Sequence, residues 1–166
     1  HVAEDLGDYL LAHDGAILEG GPCDVGVEST IVLAIDEQPV ILRPGGITRK
    51  AITEVTGLSV VEQNSDAPRV SGTLASHYAP NATVQLIQPA DVSSLTSGGL
   101  IAFNEIVTPS GVSRLAAPTT IEEFANSLYA ALRAGDQQLL DVVYVVTPLD
   151  EGLAEAVRDR LGRAAF

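Results

Sequence analysis

Residues 141–146 read Asp-Val-Val-Tyr-Val-Val, one acidic residue followed by five apolar ones. β-Branched and aromatic residues favour strands, and an unbroken apolar run is typical of a strand covered on both faces. A helical pattern precedes this run over about 120–134, and another follows it from about Asp150. A buried strand between two helices predicts an α/β fold with helices on both faces of the sheet.

The same alternation extends back towards the middle of the chain. Strands are predicted over 83–88 and 99–103, and Gly135 is expected to end the helix over 120–134. Residues 81–166 are therefore interpreted as a small open α/β domain.

The first 62 residues carry a different pattern. Residues 1–13 are typical of an amphipathic helix, and Glu28–Ile35 with Pro39–Leu42 predict a hairpin of two strands. Thr48 is expected to cap a short helix. Because the chain opens inside a helix and contains no Met, we expect it to be a portion of a longer protein.

Composition and charge exclude several classes of protein. The chain is 46% hydrophobic and has a net charge of −13, with only nine Lys and Arg among its 166 residues. Such a chain is not disordered, and it lacks the basic face that a free-standing nucleic-acid binder needs. An anionic substrate would need a local Arg or a metal ion. No P-loop or G-x-G-x-x-G motif is present, the three His are dispersed, and the single Cys excludes an internal disulfide.

Two polar clusters lie at strand ends in the first half. Ser29 and Thr30 open the first hairpin strand, where their hydroxyls can satisfy nearby backbone or bind the amino and carboxylate groups of a small substrate. Arg43 precedes Pro-Gly-Gly at the end of the second strand. It is either a solvated turn residue or a rigid guanidinium suited to phosphate or carboxylate.

Residues 63–80 show no clear periodicity and are interpreted as a linker or a long functional loop. His77 and Tyr78 stand side by side in this otherwise small and polar stretch. Tyr78 either anchors the linker on one domain or lies on a segment that crosses an active site.

Three motifs together resemble one family. D-G-A-I-L-E-G-G-P-C-D-V-G-V-E-S-T-I-V, then V-I-L-R-P-G-G-I-T, then G-T-L-A-S-H-Y-A-P are similar to the long form of threonylcarbamoyl-AMP synthase. The resemblance implies that residues 1–62 are the C-terminal part of a YrdC-like α/β catalytic domain. It implies that 63–80 are a linker crossing the active site and that 81–166 are a Rossmann-like accessory domain.

The resemblance also implies an activity. Such enzymes are nucleotidyltransferases that join L-threonine, bicarbonate and ATP, with Mg²⁺, into threonylcarbamoyl-AMP and pyrophosphate in the cytoplasm. The product feeds threonylcarbamoylation of an adenosine in tRNA. Ser29 and, as a weaker candidate, Thr30 would bind L-threonine, whereas Arg43 and Tyr78 would bind ATP. No catalytic side chain, metal ligand, direct nucleic-acid contact or membrane contact is expected in this portion.

Two departures from the family pattern shape these expectations. Val70-Ser71-Gly72 stands where the family usually has Ser-Pro-Gly, and the family's Lys-Arg pair and Ser-Ala-Asn motif would lie before residue 1. We therefore expect this portion to be inactive alone. The alternative interpretation is a non-catalytic module whose α/β half binds a nucleotide or a partner protein.

Overall fold

The computed structural model describes residues 2–21, 23–35, 37–61, 63, 68–72 and 80–165. These residues form two small sheets, several α-helices and one short 3₁₀ helix. In chain order the elements are α1 (Val2–Ala12), β1 (Ile31–Leu33), β2 (Val40–Arg43), α2 (Arg49–Thr56), β3 (Thr83–Ile87), the 3₁₀ helix (Pro89–Ser94), β4 (Gly99–Ile101), β5 (Ser113–Ala116), α3 (Ile121–Gln137), β6 (Val142–Val146) and α4 (Leu153–Ala164).

The hairpin predicted in the first half is present but shorter than expected. Strands β1 and β2 pair antiparallel, with Ile31 opposite Arg43 and Leu33 opposite Val40. Helix α2 follows with the predicted cap, because the Thr48 side chain accepts a hydrogen bond from the backbone N–H of Ala51. The hairpin and α2 thus place the polar strand ends at one side of the second half.

The second half contains a four-stranded sheet in the order β3-β6-β4-β5, and every pairing in it is parallel. The apolar run that becomes β6 lies at the centre, between β3 and β4. This sheet and its helices confirm the α/β class predicted from the sequence.

The two faces of the sheet are covered differently. Val143 and Val145 pack against α3 and α4, in one core with Phe124 and Leu161. The opposite face is covered by Val92 of the 3₁₀ helix and by partly buried side chains of the loop after β4. Helices were expected on both faces; among the described residues the second face carries the short 3₁₀ helix and loop side chains, without an α-helix.

The sequence predicts that Gly135 ends α3. In the structure Gly135 is instead buried within the helix. A Cβ atom at this position would lie 2.6 Å from Cγ2 of Val143. The glycine therefore serves close packing of α3 on β6, and the helix continues to Gln137.

Large apolar side chains of the first half are exposed, in contrast to the buried core of the second half. Leu11 is 83% exposed, Leu18 is 95% exposed and Ile35 is 79% exposed. None of the described helices is long and apolar enough to cross a membrane.

Candidate functional site

The segment 28–30, which immediately precedes β1, and the turn that follows Arg43 pack backbone against backbone. The N–H of Gly46 donates to the carbonyl oxygen of Glu28 over 3.3 Å. A Cβ atom on the buried Gly45 would lie 2.3 Å from the same carbonyl oxygen and 2.4 Å from the nitrogen of Thr30. Glycine is required here because any side chain would push the two segments apart.

Thr30 fastens these two segments together. Its hydroxyl donates to the carbonyl oxygen of Ile47 over 2.6 Å and accepts from the N–H of Ile47 over 3.1 Å. Both hydrogen-bonding functions of the hydroxyl are thus used within the chain.

Arg43 is buried, with 7% of its surface exposed, and is not a solvated turn residue. Its Nε and Nη2 atoms donate to the carbonyl oxygen of Ser29 over 3.2 and 2.9 Å, and Nη2 also lies 3.2 Å from the Ser29 hydroxyl. Its Nη1 donates to the carbonyl oxygen of Ser71 over 3.0 Å. The guanidinium therefore joins the residue Ser29, two positions before β1, to Ser71 in the middle of the linker.

Ser29 presents its side chain to solvent beside this guanidinium. The hydroxyl oxygen accepts from Arg43, and its proton is not donated to any described residue. A hydroxyl polarised in this way is available as a hydrogen-bond donor to a small polar ligand.

The linker is held at Gly72 and directly after its last residue. Gly72 has a φ of 75°, and a Cβ there would lie 2.8 Å from Nη1 of Arg43. At the other end the Asp136 carboxylate accepts from the N–H groups of Asn81 and Ala82, over 3.0 and 2.9 Å. Tyr78 and its neighbour His77 lie outside the described residues, so the predicted role of Tyr78 stays a prediction.

A buried ion pair joins this site to the second half. Arg160 of α4 is 3% exposed, and its Nε donates to Oε2 of Glu28 over 2.6 Å. Its Nη2 donates to the carbonyl oxygen of Pro44 over 3.0 Å, and Nη1 pairs with Asp159. Burial lowers the pKa of Arg160, but the interactions with Glu28 and Asp159 outweigh it, and the pKa is raised. The guanidinium is therefore a permanent cation.

Other contacts between the halves surround this pair. The Tyr129 hydroxyl donates to the Glu28 carboxylate, with distances of 3.2 and 3.3 Å to its two oxygens. The Asn126 side chain donates to the carbonyl oxygen of Cys23 over 2.6 Å. Nearer the start of α4, Glu155 forms a second ion pair of 2.9 Å with Arg49 that is about one-third exposed.

Glu28 and Arg160 were not selected as site residues from the sequence. Arg160 nevertheless breaks the apolar stripe of α4, since it lies three residues after Val157 and seven after Leu153. A charged residue at such a position must be paired when it is buried. That signal identifies Arg160 but not its partner, which lies 132 residues earlier in the chain.

The described residues include no group of three or more His, Cys, Asp or Glu side chains that could hold a metal ion. The described residues bring together the exposed hydroxyl of Ser29, the buried guanidinium of Arg43 and the closely packed backbone of Gly45, at the ends of two strands. This arrangement is suited to binding and orienting a small polar molecule.

Comparison with known proteins places this site in a family. A profile of the threonylcarbamoyl-AMP synthase C-terminal domain matches residues 47–166. The chain is 31% identical to the threonylcarbamoyl-AMP synthase of Bacillus subtilis and 33% identical to that of Pyrococcus abyssi, with 99% of this chain aligned in both cases. It covers 51% and 52% of those two proteins, and so spans about half the length of the curated relatives it matches.

Solved structures agree with this. The crystal structure of P. abyssi Sua5 complexed with L-threonine superposes with a TM-score of 0.79 at 29% identity, over 99% of this chain and 52% of that one. A variant of the same protein with adjacent His and Tyr both replaced by Ala gives 0.78 at 27% identity.

The fold and the site thus define a two-part α/β protein, in which a parallel-sheet domain is joined to a hairpin that carries the polar motifs. The chain belongs to the threonylcarbamoyl-AMP synthase C-terminal domain family. This confirms the resemblance drawn from the three motifs.

The close approach at Gly45 leads to a first prediction. Gly45→Ala should lower the free energy of unfolding by about 1–3 kcal/mol, because the new methyl group meets backbone atoms that cannot move aside cheaply. Urea unfolding followed by circular dichroism measures the change. Gly20→Ala is the matched control, since a Cβ there meets nothing within 4 Å, and it should change stability by less than about 0.5 kcal/mol. Equal small effects would contradict the prediction.

Proposed function

We propose that this chain is the C-terminal portion of an L-threonylcarbamoyladenylate synthase. The observation that carries the proposal is that Arg43 and the turn after it pack against Ser29, in a chain of this family. The complete enzyme would convert L-threonine, bicarbonate and ATP into threonylcarbamoyl-AMP, pyrophosphate and water.

The chemistry requires positioning more than a protein nucleophile. The threonine amine and bicarbonate first form a carbamate with loss of water. A carbamate oxygen then forms a bond to the α-phosphorus of ATP, while the bond from that phosphorus to pyrophosphate breaks. Holding the carbamate and the phosphate in line supplies most of the rate enhancement for such a transfer. Mg²⁺ enters as the counter-ion of ATP.

Ser29 is the proposed L-threonine contact. It is exposed, its hydroxyl is polarised by Arg43, and the similar P. abyssi protein was solved complexed with L-threonine. Thr30 is the weaker candidate, because its hydroxyl is already engaged by both backbone atoms of Ile47.

Arg43 and Tyr78 are the proposed ATP contacts. Arg43 lies where the site and the linker meet, so a nucleotide placed against the linker would lie close to its guanidinium. Tyr78 belongs to the only His-Tyr pair in the chain, and an adjacent His and Tyr are the residues replaced in the P. abyssi variant. We place the reaction in the cytoplasm, with its product supplied to the modification of tRNA. Because the net charge of this portion is −13, we do not expect it to bind nucleic acid directly.

The function is tested by supplying the three substrates. The complete enzyme should release pyrophosphate only when ATP, L-threonine and bicarbonate are all present, with threonylcarbamoyl-AMP detected by mass spectrometry. The 166-residue chain alone should release none, because its hairpin sheet has two strands and its apolar side chains are exposed. Omission of L-threonine is the control. Pyrophosphate release by the chain alone would contradict its expected inactivity, and release by the complete enzyme that does not depend on L-threonine would contradict the proposed function.

Arg43→Ala in the complete enzyme should weaken ATP binding by about 1.5–3 kcal/mol, the range for a hydrogen bond to a charged group. Arg43→Lys should recover only part of this, because an ammonium cannot reproduce the planar guanidinium. Titration calorimetry with ATP and, separately, with L-threonine measures both affinities.

The two titrations separate two roles of Arg43. A larger loss for ATP than for L-threonine supports ATP contact, whereas equal losses would mean that Arg43 acts only by holding Ser29. Lys50→Ala, which removes an 83% exposed cation from α2, is the control and should change neither affinity.

Tyr78→Ala in the complete enzyme should lower kcat/KM for ATP by roughly tenfold or more, equivalent to about 1.4 kcal/mol. The melting temperature should change little, because the side chain would serve the site and not either core. Replacement of Asn64-Ser65-Asp66 by Gly-Ser-Gly is the control, since a tether acts through length and stiffness alone. Similar small effects from both changes would show that 63–80 is only a linker.

A further inference from the structure

Arg160 occupies a position that is costly for a charge. It lies on the buried face of α4, beside Val157 and Leu161, neither of which is exposed at all. A guanidinium removed from water is tolerated only when its donors are paired. The partners of Arg160 therefore show which part of the molecule the charge serves.

Those partners flank both proposed substrate residues. Glu28, which pairs with Nε, immediately precedes Ser29, and Pro44, whose carbonyl accepts from Nη2, immediately follows Arg43. One planar side chain from the second half thus holds the strand and the turn of the site at a set separation. Asp159 occupies Nη1 and so restricts the rotation of the guanidinium.

The other contacts between the halves differ in this respect. The Arg49–Glu155 pair is about one-third exposed and joins α2 to α4 without contact to either strand end. The Asn126 side chain binds backbone upstream of Glu28. Among the described polar contacts between the halves, only those of Arg160 and Tyr129 reach Glu28, the residue next to Ser29.

We propose that Arg160 is a positioning residue of the synthase, through which the accessory domain sets the geometry of the L-threonine site. The proposal rests on the function proposed above. Arg160 acts through Glu28 and Pro44, not by touching substrate. A displacement of about 1 Å at a binding group is enough to cost roughly a hundredfold in rate, so a loosened strand end should be readily measurable.

The test is L-threonine binding by the complete enzyme carrying Arg160→Met, which keeps much of the side-chain volume and removes the charge. Isothermal titration at a temperature where circular dichroism shows each variant folded should give an affinity roughly tenfold weaker or more. Glu155→Gln is the matched control, since it breaks the ion pair with Arg49, and it should bind within about twofold of wild type.

A double variant distinguishes a positioning role of Arg160 from a role in stability alone. Glu28→Gln combined with Arg160→Met removes the carboxylate stranded by the single change, and the melting temperature should partly recover. L-Threonine affinity should not recover, because the side-chain link that Arg160 makes between Glu28 and Pro44 is absent from both variants. Affinity that recovers with the melting temperature, or that is unchanged in folded Arg160→Met, would overturn the proposal.

Two further measurements keep the test decisive. If Arg160→Met does not fold, Tyr129→Phe removes one hydroxyl from Glu28 and should weaken L-threonine binding by about threefold; unchanged binding would overturn the proposal. Wild-type enzyme that fails to bind L-threonine would instead refute the proposed function. Wild-type binding with equal binding by folded Arg160→Met would refute this inference alone.

Discussion

The buried pair of Glu28 and Arg160 is the constraint on which the arrangement of this protein depends. Arg160 is almost fully buried in the core of the second half, while Glu28 lies in the hairpin segment of the first. Without Glu28, the buried guanidinium would keep Asp159 as a carboxylate partner but would lose its link to the residue before Ser29. Because the same guanidinium also binds Pro44, the pair sets how the parallel-sheet domain meets the site.

A second constraint is the absence of a side chain at Gly45. The backbone of Glu28 to Thr30 passes so close that a methyl group would not fit. Arg43 reinforces this contact by donating to the Ser29 carbonyl oxygen, and it also donates to the carbonyl oxygen of Ser71 in the linker. The site is therefore assembled mainly from backbone, with a few side chains that hold it together.

The distribution of burial separates the two halves. The parallel sheet has a hydrophobic core in which Phe124, Leu128 and Val143 are fully buried. In the first half, by contrast, Leu11 and Leu18 are exposed to solvent. Relatives in the family are about twice as long as this chain. Burial is thus concentrated in the second half, which holds the first half through polar contacts and through Val27, packed against its core.

Local patterns were sufficient to predict the α/β class, the hairpin, and α2 with its Thr48 cap, because each depends on neighbouring residues. The motifs also identified the family and selected Ser29 and Arg43. The sequence could not show that Arg43 is buried against Ser29, that Gly135 lies inside a helix, or that Glu28 pairs with Arg160. Those facts join residues far apart in the chain, and only tertiary packing brings their atoms within hydrogen-bonding or van der Waals distance.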